Sequence, residues 1–286
     1  MEAMAAIEAR AVSCAHCGKQ LLAPKRCSIC KQIPYCGAEC QKAGWKRHKK
    51  TCEPPLPLGE VREKVHEATH SHDWRGVLKW EGRMEELMEG RPDAYRDWTL
   101  NSFGKAHDSG YRSTGKNDHA LAFIRLGQRR VELLGTLERF RHQSTVLCSI
   151  AQQCIVLGRR QEATTYFQRS RDLGAQHGFF SAESQACLGL GRLALREGRH
   201  EEGLALLRNA LVASTLTESD ESIHELNALR YLINSLFDTN GIDELEPLIP
   251  RHREAAAAQS QKIGRPKIGS AEVQSLCFSA RLHEVL

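Results

Sequence analysis

No apolar run in this 286-residue chain approaches the ~18 residues of a membrane helix, which argues against a spanning segment. The opening residues, MEAMAAIEARAVS, carry acids and lack the apolar centre of a secretory signal. That argues against a disulfide-forming compartment, and the cytosol, the nucleus or both are expected. From Gly59 onward the two-residue alternation of a half-buried strand is absent. The chain has no Gly-x-x-x-x-Gly-Lys-Ser/Thr loop, no Gly-x-Ser-x-Gly elbow and no His-Glu-x-x-His pair. On these absences the chain is expected not to be an enzyme, and no catalytic residue is assigned.

What the chain does carry is concentrated. Seven of its eleven cysteines lie between Cys14 and Cys52, in pairs. The pairs are Cys14/Cys17, Cys27/Cys30, Cys36/Cys40 and His48/Cys52. A Cys-x2-Cys knuckle points two sulfurs at one ion, and residues four apart share a helix face, so each pair can chelate. Thiolate and imidazole are ligands that zinc prefers, four to a tetrahedral structural site. Eight ligands therefore fit two Zn2+ ions with none left over. Four pairs combine into two sites sequentially, nested or interleaved, and spacing alone does not choose. His16, inside the first knuckle, reads as a spacer.

The whole string, with Tyr35 before the fifth ligand, Gln41 after the sixth and Trp45 beyond it, resembles a MYND-type zinc finger. The resemblance implies interleaving: Cys14, Cys17, Cys36 and Cys40 in one site, and Cys27, Cys30, His48 and Cys52 in the other. It also implies a module that docks short Pro-x-Leu-x-Pro-like peptides, with Gln41 and Trp45 lining the groove. Proteins with such fingers also include lysine methyltransferases with a SET domain. Neither the Asn-His-Ser-Cys-type motif nor the Gly-x-Gly segment of that domain is found here.

Charge is uneven. Residues 14–52 hold nine Lys and Arg against one acid, Glu39, in a chain of net charge +5. Two zinc ions with seven thiolates bring the finger from +8 to +5, still basic. Nucleic-acid binding through this face is the alternative function, behind peptide binding.

Residues 1–13 read as a flexible N-terminus. Residues 53–59, with Pro54, Pro55 and Pro57, read as a stiff connector. Residues 60–286 show a repeat. Gly158–Ala163 matches Gly198–Gly203 forty residues on, Gly115–Ala120 lies forty-three before the former, and Asn240–Leu245 is a fainter copy forty-two after the latter. Small residues flank the first two turns: Ala151, Ala163 and Ser170, then Gly191, Gly203 and Ala210. Small side chains let antiparallel helices approach, while Phe167 and Leu207 fill the gap beside them. The pattern resembles tetratricopeptide (TPR) helical hairpins and implies an all-α solenoid, a second surface for protein partners.

A further hairpin is expected near His72–Trp74, a loop over Arg171–Ser181, a break at Gly264–Pro266 and a capping helix over Ser270–Leu286. Leu245 and His252, at positions that are small elsewhere, leave the fourth repeat's packing open. Cys148, Cys154, Cys187 and Cys277 are expected to be buried small hydrophobes, and His66 and His70 a surface pair.

Overall fold

The Cys-x2-Cys pairs ride on minimal hairpins in a computed structural model that describes residues 12–21, 24–30, 33–52, 56–216, 222–239, 241–262 and 277–282. β1 (Val12–Ser13) pairs antiparallel with β2 (Gln20–Leu21), Val12 opposite Leu21. β3 (Lys25–Arg26) pairs with β4 (Pro34–Tyr35), Lys25 opposite Tyr35. Helix α1 (Ala38–His48) follows. Two-residue strands bury too little to stand alone, so something else must hold them.

The chain divides into two compact units, Met1–Lys64 and Val65–Leu286. Helix α2 (Leu58–His70) crosses that division, so Leu58 and Gly59 of the connector are helical. The rest of the second unit is helical: α3 (Trp74–Leu78), α4 (Glu81–Met88), α5 (Asp93–Thr114), α6 (Asn117–Thr136), α7 (Phe140–Val156), α8 (Arg160–His177), α9 (Phe180–Arg196), α10 (His200–Thr215), α11 (Ser222–Asp238) and α12 (Ile242–Lys262). No strand lies beyond Tyr35 among the described residues. Nor, among them, is any helix long and apolar enough to cross a membrane.

Four of the turns between these helices share one closure. Gly158 and Gly198 sit in the left-handed region at φ 74° and 76°. Each lets the next amide reach back five residues, Arg159 N–H to Cys154 C=O at 2.8 Å and Arg199 N–H to Ala194 C=O at 2.9 Å. The same bond closes the turn at Glu138 (Arg139 to Leu134, 2.9 Å) and the one at His72 (Asp73 to Ala68, 2.9 Å), where a non-glycine residue takes positive φ.

The small positions pack as the repeat implies. Ala151, Ala163 and Ser170 are fully buried, and Phe167 is buried among them. A Cβ on Gly203 would stand 3.1 Å from Gly191 O, so α9 and α10 approach nearly backbone to backbone. Two layers of core result. One joins α6 to α9 through Ile124, Leu134, Leu147, Phe167 and Leu193. The other joins α9 to α12 through Leu207, Leu229, Ile233 and Leu245. The fourth copy closes despite its larger residues. Leu245 and His252 are both fully buried, and His252 meets Phe278 edge-on at 5.2 Å. Burial, with a smaller contribution from Arg230, lowers the His252 pKa to about 4, so it packs as a neutral ring.

Two expectations are corrected. Arg171–Ser181 is not a loop: α8 continues to His177, and only Gly178 and Phe179 separate it from α9. Gly174 is a packing residue, since a Cβ there would stand 3.0 Å from the Glu183 amide N. Longer helices, not longer loops, stretch the repeat, and α5 alone has 22 residues. Cys277 is exposed, unlike Cys148, Cys154 and Cys187, which are buried as expected. Burial raises the Cys148 pKa to about 12, and its Sγ lies 3.1 Å from Ser170 Oγ. His66 and His70 lie on the surface, their rings 4.0 Å apart. Residues 263–276 and 283–286 lie outside the described residues, and with them the Gly264–Pro266 break and most of the Ser270–Leu286 cap. Residues 277–282 of that segment are helical.

Candidate metal centres

The two hairpins present one knuckle each. Between β1 and β2, Cys14 N–H bonds Lys19 C=O at 2.8 Å, and Gly18, at φ 73°, bonds back to Cys14 C=O at 2.9 Å. That turn brings Cys14 and Cys17 to one side. Between β3 and β4, Cys27 N–H bonds Ile33 C=O at 2.9 Å and frames Cys27 with Cys30. The chain then enters α1. Cys36 stands two residues before the helix and Cys40 in its first turn, whereas His48 closes its last turn and Cys52 follows it.

One helix thus serves both sites. Its start gives Cys36 and Cys40 to the first knuckle, and its end gives His48 and Cys52 to the second. The eight ligand atoms form two groups, Cys14/Cys17/Cys36/Cys40 and Cys27/Cys30/His48/Cys52, each with all atoms within 4.8 Å of one another. Cys17 and Cys36 Sγ are 3.7 Å apart, Cys27 and Cys52 Sγ 3.8 Å, and Cys30 Sγ lies 3.3 Å from His48 Nε2. Zn–S bonds of ~2.3 Å in a tetrahedron set sulfurs about 3.8 Å apart, so the donors fit zinc. The pairing is the interleaved one. Each site has four protein ligands and no open position, which makes both zincs structural.

Electrostatics also call for a cation. The Cys17 amide is the main influence lowering the Cys14 pKa to about 6. Burial opposes ionisation of Cys27, yet the amides of Cys30 and Ile29 with other hydrogen bonds bring it to about 6. Cys36 pushes Cys40 up to about 12, and burial followed by Cys27 pushes Cys52 up to about 11. In each cluster one thiolate suppresses the next, and a divalent ion removes that conflict.

The surroundings lock the ligands. Tyr35 is 2% exposed, and Gly44 on α1 passes so close that a Cβ would stand 3.2 Å from its ring. Arg47 Nη2 donates to Ala15 C=O at 3.0 Å and ties α1 to the first knuckle. His16 is exposed and belongs to neither ligand group, in keeping with a spacer. Gln41 and Trp45 are half-buried, one turn apart on α1. Gln41 Nε2 donates to Cys27 Sγ at 3.6 Å, and Trp45 meets the His48 ring edge-on at 5.7 Å. Sequence reasoning missed the Gln41–thiolate bond. The signal was the position after Cys40, which carries an amide across the helix to the other site.

Residues 14–52 match the sequence model of the MYND finger family. Residues 14–52 are a MYND finger. Over most of the chain there is also a likeness of fold. A signal-transduction ATPase with a tetratricopeptide repeat sensor from Pyrococcus horikoshii superposes with a TM-score of 0.59 at 10% identity, covering 86% of this chain and 37% of that one. The helical unit is therefore a TPR-like array. Among curated proteins, SET domain-containing protein 14 of Caenorhabditis elegans is 30% identical over 82 residues, 29% of this chain and 17% of its own length. The human N-lysine methyltransferase SMYD2 is 28% identical over 103 residues, 30% of this chain and 24% of its own length. The chain thus spans about a quarter or less of the curated relatives it matches.

These relatives correct the expectation that the chain is not an enzyme. That expectation rested on absent motifs, whereas the proteins sharing the MYND finger and its neighbouring residues include N-lysine methyltransferases. Motif absence records which known chemistries were not recognised and has no power over relatives of this kind. This chain joins a MYND finger to a TPR-like helical array.

Proposed function

We propose that the protein is an adaptor whose MYND finger docks a proline-rich peptide of the Pro-x-Leu-x-Pro kind, with the array as a second binding surface. The observation that carries this reading is the pair Gln41 and Trp45, half-buried and one turn apart on a helix fixed by two zincs. An indole edge suits the flat faces of a polyproline-type segment, which meets aromatic grooves with little entropy to lose. The Gln41 amide stands beside it for a peptide carbonyl. Zinc pre-organises both groups, so peptide binding need not order them.

Titration of the full chain with a fluorescein-labelled Pro-x-Leu-x-Pro peptide tests it. Trp45→Ala is expected to weaken binding about tenfold or more, in the range of an interface aromatic, while zinc content stays at two. No binding, or binding indifferent to Trp45→Ala, refutes the docking site. A duplex oligonucleotide that binds instead, with affinity collapsing as salt rises, points to the basic face.

A second reading is favoured by the relatives. Their identity as N-lysine methyltransferases supports assay of this chain for methyl transfer to protein lysines. Methyl incorporation from radiolabelled S-adenosylmethionine supports it, and a blank assay with a folded, zinc-loaded chain refutes it.

A further inference from the structure

Two imidazoles join four helices at one point. His107 of α5 is 8% exposed. Its Nε2 lies 3.1 Å from Glu81 Oε2 on α4, and its Nδ1 lies 3.0 Å from His119 Nδ1 on α6. His119 is half-buried. Its ring lies against Gly110 of α5, where a Cβ would stand 3.0 Å from both ring nitrogens. From α3, Trp74 meets the same ring edge-on at 5.1 Å, with Arg75 stacked over the indole at 4.5 Å.

This chain of bonds counts protons. A carboxylate only accepts, so His107 carries its proton on Nε2 and offers Nδ1 as an acceptor. His119 must then donate from Nδ1. One added proton fits at His119 Nε2, outside the chain of bonds. A second fits nowhere, because it sets N–H against N–H at 3.0 Å between two like charges. Burial, then His107, then Lys116 lowers the His119 pKa, against the pull of Asp118 and Glu81. Asp108, beside His107 in sequence, is turned to Gln153 Nε2 and Arg112.

What these bonds hold is light. Helices α3 and α4 have five and eight residues, too few to persist unless packed. A second ion pair from α4, Glu85 with Arg129 of α6, is half-exposed on both sides and holds weakly. Beside α4 a cavity of about 620 Å³ opens over Phe103, Leu126 and Leu133, so packing there is incomplete. Met84 and Met88 of α4 are nevertheless buried.

We propose that Glu81, His107 and His119 form an acid-sensitive latch, which holds α3 and α4 onto α5 and α6 and releases them when both rings are protonated. In the open form each ring meets water and takes up its proton near pH 6.5, roughly the ordinary histidine value. The closed form holds at most one of those two protons. Because the closed state keeps the His119 pKa low, its advantage is full above about pH 6.5 and is lost as pH falls below it. One extra proton per opening shifts the equilibrium about tenfold per pH unit. Opening uncovers Met84 and Met88, so the array gains an apolar patch in acid alone.

The test is hydrogen exchange of the full chain, read by mass spectrometry at pH 7, 6 and 5 and corrected for the intrinsic pH dependence of exchange. Peptides over residues 74–88 are expected to lose protection about tenfold or more between pH 7 and pH 5, while those over residues 180–196 keep theirs. Exchange is read segment by segment, so acid release of zinc from the finger does not enter. His119→Asn keeps a donor for His107 Nδ1 at neutral pH and can turn its oxygen toward a protonated His107. Its acid loss is therefore expected to shrink to about threefold or less. Glu81→Gln keeps an acceptor but removes the charge that favours the first proton, so its loss is expected already at pH 6. Circular dichroism at pH 7.5 confirms that both variants fold. Nitrogen-15 spectra of the unmodified chain at pH 7.5 need no variant, and are expected to show His107 protonated on Nε2 and His119 on Nδ1. Equal protection at pH 7 and pH 5, an acid loss undiminished in His119→Asn, or the opposite tautomers overturns the latch.

Discussion

Removal of zinc with a strong chelator is expected to unfold residues 14–52 and leave the helical array folded. The finger's buried centre amounts to Cys14, Cys27, Cys30 and Tyr35, three of which are metal ligands. Its strands are two residues long. Nothing in that inventory offsets the conformational entropy lost in ordering nearly forty residues. Structural zinc supplies on the order of 10–16 kcal/mol in comparable peptides, and the finger has ligands for two such ions. Without them, cysteines that suppress one another's ionisation face each other, Cys36 pushing the Cys40 pKa up to about 12. The array is a compact unit of its own, and among its described residues no cluster of metal-ligating side chains occurs. A chromophoric chelator should therefore count two zincs per chain as trypsin gains access to Lys46–Lys50, while most of the far-UV helical signal persists. Fewer than two zincs, or a finger still protease-resistant after release, would sink the two-site account. Because α1 feeds both sites, Cys27→Ser is expected to lower occupancy of both and not only its own.

Phe167→Ala is expected to cost the array about 3–5 kcal/mol, the range for truncating a fully buried phenylalanine. Phe167 is 1% exposed and fills the gap between α8 and α9. Gly189 on α9 faces its ring, and a Cβ there would overlap it. Gly189→Ala alone should therefore destabilise, because displacing the ring costs about 1–3 kcal/mol and outweighs the ~1 kcal/mol that alanine brings to a helix. In the Phe167→Ala background the overlap vanishes, and Gly189→Ala should turn neutral or stabilising. Urea titrations of the four proteins, followed by circular dichroism, give the coupling. Strictly additive midpoints would show that the ring and the glycine are not packed as described.

Much of this was legible because short spacings carry it. The ligand pairs within 39 residues, the glycine turns at 115, 158 and 198, and the small residues beside them are local patterns with one physical use each. Glu138 was illegible, because a non-glycine residue at φ 54° leaves no compositional mark and is held there by the backbone bond of Arg139 to Leu134. Gly174 misled for the opposite reason. In sequence a glycine near His177 and Gly178 reads as a break, whereas in the fold it is the contact that lets α9 approach α8.

The sequence by itself determined the zinc, the number of ions and the helical repeat, since ligand type and residue size act wherever the chain goes. Only the tertiary structure decided how four chelating pairs divide. That depended on one helix of 11 residues being long enough to leave one knuckle and end at the other.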